Sequence, residues 1–97
     1  MITINDIIKY SKPHDIQGGK VTRLSNDKVL VSIVGGISGL YGDFENDFEI
    51  AIFDKTTGEF ITKFFRPDIN DDVIAYMPAK EVEEIVNQIL HNGFQVS

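Results

Sequence analysis

Val82, Ile85, Val86, Ile89 and Leu90 recur at the spacing of one helical face, with Glu83, Glu84, Asn87 and Gln88 between them. A helix this one-sided has to lay its stripe on another element. Pro78 suits the first turn, where its missing N–H is not needed. Met77 before it is a poor cap, so the local sequence does not fix the start. Glu81, Glu83 and Glu84 sit near the positive end of the helix dipole and His91 near the negative end. Gly93 can take a left-handed cap, with Phe94 folding back toward Ile89.

What the helix lies on is written upstream in strand patterns. Lys20 to Ser25 and Lys28 to Val34 read as strands around an Asn26-Asp27 turn. In the second, Val29, Val31 and Ile33 line one face while Leu30 and Val34 take the other, which predicts a sheet covered on both sides. Phe48, Ile50 and Ile52 alternate with Glu49, Ala51 and Phe53. Lys55-Thr56-Thr57-Gly58 supplies a turn with glycine late in it, and Phe60 to Phe65 is expected to return as the second arm of a hairpin. Val73 to Met77 reads as a last short strand. At the start, Thr3-Ile4-Asn5-Asp6 has capping-box spacing, Ile2 and Ile7 stand where a hydrophobic staple would, and Pro13 lies beyond a short helix ending near Tyr10. The expected fold is α+β. A mainly antiparallel sheet of four or five strands carries a short N-terminal helix, and a C-terminal amphipathic helix packs on one face. At 97 residues, 1–97 reads as a single domain.

Charge is divided along the chain. Residues 1–40 carry five basic and three acidic side chains, and residues 41–97 carry four basic and twelve acidic ones, for a net charge of −6. Phosphate contacts need clustered Lys and Arg, so direct nucleic-acid binding is not expected. The balance suits a basic protein partner, or solubility alone. No cysteine is present, which removes disulfides, thiolate metal sites and cysteine nucleophiles. No basic region followed by a long apolar run opens the chain, and no stretch approaches the ~20 apolar residues of a membrane span. Cytoplasmic localisation without membrane association is the expectation.

Chemistry is sparse. Gly35-Gly36-Ile37-Ser38-Gly39-Leu40-Tyr41-Gly42 packs four glycines into eight residues after a strand. It lacks the Gly-Lys-Ser/Thr and the following helix of a phosphate loop, and acidic residues come next. It reads as an irregular corner, with a small-ligand pocket lip as the sharper alternative. Asp43, Glu45 and Asp47 share the spacing that opens a calcium loop, with Asp54 at the twelfth place. Phe48 occupies the required glycine position, however, and strands rather than helices flank the segment. No metal and no cofactor is expected. Gly-Ile-Ser-Gly at Ser38 is one residue short of a nucleophile elbow, and nothing brings His14 and His91 to a common carboxylate. No catalytic residue is assigned.

The expected function is therefore non-enzymatic. The chain reads as a small acidic protein-interaction domain meeting a second copy or another protein through strand edges or the 37–44 segment. Ile37, Leu40, Tyr41 and Phe44 would supply an apolar patch if exposed and core if turned inward. Asp43, Glu45, Asp47, Glu49, Asp68, Asp71 and Asp72 would supply an acidic one. The runner-up is an inhibitor that shows these carboxylates as one phosphate-like face to a basic protein, by class analogy with phage-encoded inhibitors and anti-CRISPR proteins. A third reading, ligand binding, calls for a cleft that holds His14 or His91 beside a carboxylate.

Overall fold

The computed structural model describes residues 1–14, 19–36 and 42–97. Its helices are α1 (Ile4–Lys9), α2 (Thr62–Phe65) and α3 (Ala79–Ile89). Its strands are β1 (Lys12–Pro13), β2 (Lys20–Ser25), β3 (Val29–Gly35), β4 (Asp47–Asp54), β5 (Val73–Pro78) and β6 (Gln95–Val96). The strands form one antiparallel sheet in the order β1-β2-β3-β4-β5, and β6 pairs with the same side of β2 as β1, further along the strand. This is the expected α+β architecture, with β1 and β6 as two-residue additions.

Strand alternation sends Thr22, Leu24, Val31, Ile33, Ile50 and Ile52 to one face of the sheet. There they are buried beneath Val82, Ile85, Val86 and Ile89 of α3 and Ile7 of α1. The α3 stripe thus buries as its spacing requires. Among the described residues, no helix is long and apolar enough to cross a membrane.

The N-terminal helix follows its sequence signals. Thr3 Oγ1 accepts from Asp6 N–H, and the Asp6 carboxylate accepts from Thr3 N–H, closing the capping box. Ile2 and Ile7 are both buried. Polar side chains of α3, unremarked in the sequence, fix the docking. Asn87 Oδ1 accepts from Ile2 N–H at 2.8 Å, Asn87 Nδ2 donates to Ile2 C=O at 2.7 Å, and Glu83 accepts from Ile4 N–H. One amide side chain thereby satisfies both backbone groups of Ile2.

Three expectations are corrected. Residues 60–65 do not return as a strand. Phe60 bridges Phe53, Ile61 N–H donates to Ile52 C=O, and the chain then turns into α2. Ile61 and Phe65, four apart, both pack on the core, so helical spacing serves these residues better than a ladder. Buried Thr62 holds the departure, its hydroxyl accepting from Ile52 N–H at 3.0 Å and donating to Asp72 C=O at 2.6 Å. The vacated edge of β4 is taken by β5. Pro78 is the N-cap of α3 and not its first helical residue. Lastly, α3 ends at Ile89 with Leu90 as cap. Gly93 has φ 119°, but Phe94 packs against Tyr10, ring centroids 6.3 Å apart, because β6 draws the tail across to β2.

Thr62→Val keeps the shape and removes both hydrogen bonds, leaving Ile52 N–H and Asp72 C=O unpaired. Urea denaturation should show a loss of about 1–3 kcal/mol.

Candidate functional site

The acidic stretch after the glycine bend folds into a tight loop built on Asp43. Asp43 Oδ1 accepts from the backbone N–H of Glu45, Asn46 and Asp47, and Asp47 Oδ1 accepts in return from Asp43 N–H. The N–H groups of Asn46, then Glu45 and Asp47, hold the Asp43 carboxyl far below the usual carboxylate range. Phe44 adopts φ 62° and turns inward. It is 3% exposed and meets Phe48 edge-on at 5.1 Å. Of the two roles open to Phe44, the structure shows core. The loop also serves α3, because Asn46 C=O accepts from Ala79 N–H at 3.1 Å where Pro78 has no side chain to offer.

At the foot of the glycine bend, Gly36 N–H donates to Gly42 C=O at 3.0 Å. A Cβ on Gly42 would stand 2.7 Å from Asp47 C=O and 2.8 Å from Phe48 Cα, so close backbone approach requires glycine there. Ile37, Leu40 and Tyr41 lie outside the described residues.

The remaining carboxylates gather elsewhere. Asp68 pairs with Arg66 at 3.1 Å, and the guanidinium holds its carboxyl down. Asp71 accepts from Asp72 N–H just before β5. Asp47 faces Pro78 at one end of β5, whereas Val73, next to Asp72, faces Ala51 at the other. At ~3.3 Å per residue the two acidic groups stand roughly 16 Å apart, with Glu49 between. The structure gathers six of the seven predicted carboxylates into two acidic groups and leaves Glu49 on strand β4 between them. Among the described residues no cluster of His, Asp and Glu is arranged to hold a metal.

The β5 edge of the sheet is blunted. Ala75 and Tyr76 together oppose Glu49 in a bulge, Tyr76 has φ 53°, and Pro78 ends the strand without an N–H. Bulges and prolines of this kind turn an edge away from strand addition.

The outer face of the sheet is different. Cross-strand pairs place Arg23, Ser32, Ala51 and Val73 in one row and Ser25, Leu30, Phe53 and Phe60 in the next. None of these packs in the helix-side core. Leu30, Phe53 and Val73 are half-buried, Phe60 is 47% exposed, and Phe53 and Phe60 touch at 4.5 Å between centroids. An antiparallel sheet with one solvated face normally turns polar residues outward. Here the row through Leu30 and Phe53 is apolar in the middle, the row through Ser32 and Ala51 carries small side chains there, Ser25 and Ala51 are already buried, and no described helix lies over either row. Leu30 and Phe53 were legible as second-face residues from their alternation. Phe60 opposite Phe53 is what the hairpin expected over the Lys55–Gly58 turn places there, although the return arm does not continue as a strand beyond it.

Among the described residues, two grooves run beside the C-terminal tail. One, of about 410 Å3, lies between α1 and the tail and brings Asp6, Tyr10, His91 and Phe94 together over Ile2 and Leu90. The other, of about 420 Å3, runs over the β2–β3 turn beside Asn92 and Gln95 and holds no histidine.

Comparison with protein families, with curated proteins and with solved structures finds no match for this chain.

The depressed Asp43 pKa has a consequence at low pH. Such a group adds stability that is complete above its unfolded pKa, about 3.9, and is lost as pH falls toward its folded value. Asp43→Asn keeps one accepting oxygen but cannot titrate. Thermal melts between about pH 2 and 7 should show a shallower acid loss of Tm in the variant than in the parent.

Proposed function

We propose that this chain is a small protein-interaction domain that engages its partner through the outer face of the sheet. The observation that carries this reading is the apolar centre of that face, Leu30, Phe53, Phe60 and Val73, in a fold whose described helices pack on the other side. Apolar patches rimmed by polar groups are the usual mark of a partner surface. The blunted β5 edge favours face packing over strand addition. Separation of the carboxylates into two groups lends the phosphate-mimic reading no support, since that reading needs one contiguous face.

Immobilised chain should retain a specific protein from host lysate, and Leu30→Glu and Phe60→Ser should each release it without loss of the cooperative melt. A parent chain that captures nothing and shows no self-association would overturn the reading.

A second reading, binding of a small ligand, has one observation of its own: the groove whose lining includes both His91 and Asp6. It predicts that fragment hits in an NMR screen shift the Tyr10, His91 and Phe94 resonances and disappear in Tyr10→Leu. Hits scattered over the surface would count against it.

A further inference from the structure

The outer face is arranged to be covered by its own copy. We propose that two chains pack outer face to outer face about a two-fold axis that runs along the strands between β3 and β4. The proposal rests on the interaction-domain reading and names its partner.

A rotation about that axis reverses strand order, so β3 of one copy lies over β4 of the other and β2 lies over β5. The two rows then meet their own reversals. Leu30 comes over Phe53 of the second copy and Ser32 over Ala51, following the registers within each sheet, and Phe60 comes over the corner where Ser25 is already buried with Ser97 and Lys55 bonded to it. Small residues in one row let the sheets approach the ~10 Å of face-to-face packing, while the large ones in the next fill the gap. A two-fold contact demands this kind of self-complementarity.

Charge selects the same arrangement. Exposed Arg23 stands on the β2 flank of the face, and exposed Asp71 and Asp72 stand at the entry to β5 on the opposite flank. The rotation carries Arg23 of each copy to the Val73–Asp72 corner of the other. A wholly basic partner would suit the carboxylate flank and meet Arg23 with like charge, whereas a second copy suits both. Area is sufficient: with principal extents of 29 × 28 × 24 Å, one side of the molecule presents roughly 700–800 Å2, near the ~800 Å2 per partner of a standard interface.

Sedimentation equilibrium from about 1 to 300 µM, at low and at roughly 0.5 M salt, tests this. The parent chain should dimerise, and more weakly at high salt. Leu30→Glu should be monomeric throughout, and Phe60→Ser, at a more exposed position, should weaken the dimer even if Leu30→Glu fails to fold. Arg23→Glu and Asp72→Lys should each weaken it about tenfold or more at low salt, and the combined R23E/D72K should return to within about threefold of the parent. A parent chain monomeric at every concentration overturns the proposal, as does a dimer indifferent to these changes. If that monomer still captures another protein, and Leu30→Glu abolishes the capture, only the dimer is lost and the interaction-domain reading stands.

Discussion

The burial of the α3 stripe against the inner face of β3, β4 and β5 is the contact on which the rest of this fold depends. Val82, Ile85, Val86 and Ile89 have no other place to go, and Val31, Ile33, Ile50 and Ile52 no other cover of comparable size. Near 25 cal/mol per Å2, apolar burial on that scale is the main favourable contribution available to a chain of this length. Once it is made, α3 acts as a mould. Its Asn87 and Glu83 hold the backbone at Ile2 and Ile4, which sets α1 beside it, and Thr22 donates to Ile7 C=O from the sheet side.

The same contact explains why the loop at Asp43 is so heavily bonded. The helix begins without a capping side chain, and Asn46 C=O fills part of that role. Asn46 can do so only if its loop is held rigid, and the Asp43 carboxylate holds it with three backbone hydrogen bonds. These acidic residues look like a surface feature in the sequence. In the fold, Asp43 joins the sheet to the helix, and Phe44 between them plugs the core.

Among the described residues the helices pack on one side, and none lies over the Leu30–Phe53 part of the outer face. Its apolar centre is a departure from what a single solvated sheet face needs, and consistency across levels normally fails where function lies. Of the two residues whose alternation signals a sheet covered on both sides, Val34 is buried, as is Val21 opposite it, while Leu30 is only half-buried.

The fold class, the capping box at Thr3, the α3 stripe and the left-handed glycine at Gly58 were all readable from local rules, because spacing and backbone preference act over a few residues. Of the candidate site, the sequence showed the carboxylates and the second-face aliphatics, but not their grouping. Whether 60–65 would be strand or helix was decided by competition with β5 for the edge of β4, and no window of sequence contains both competitors. The grouping of six carboxylates at two places with Glu49 on the strand between them, and the turn of Phe44 into the core, were likewise settled by tertiary structure. Each depends on residues distant in the chain arriving at one place, and local propensity holds no record of that arrival.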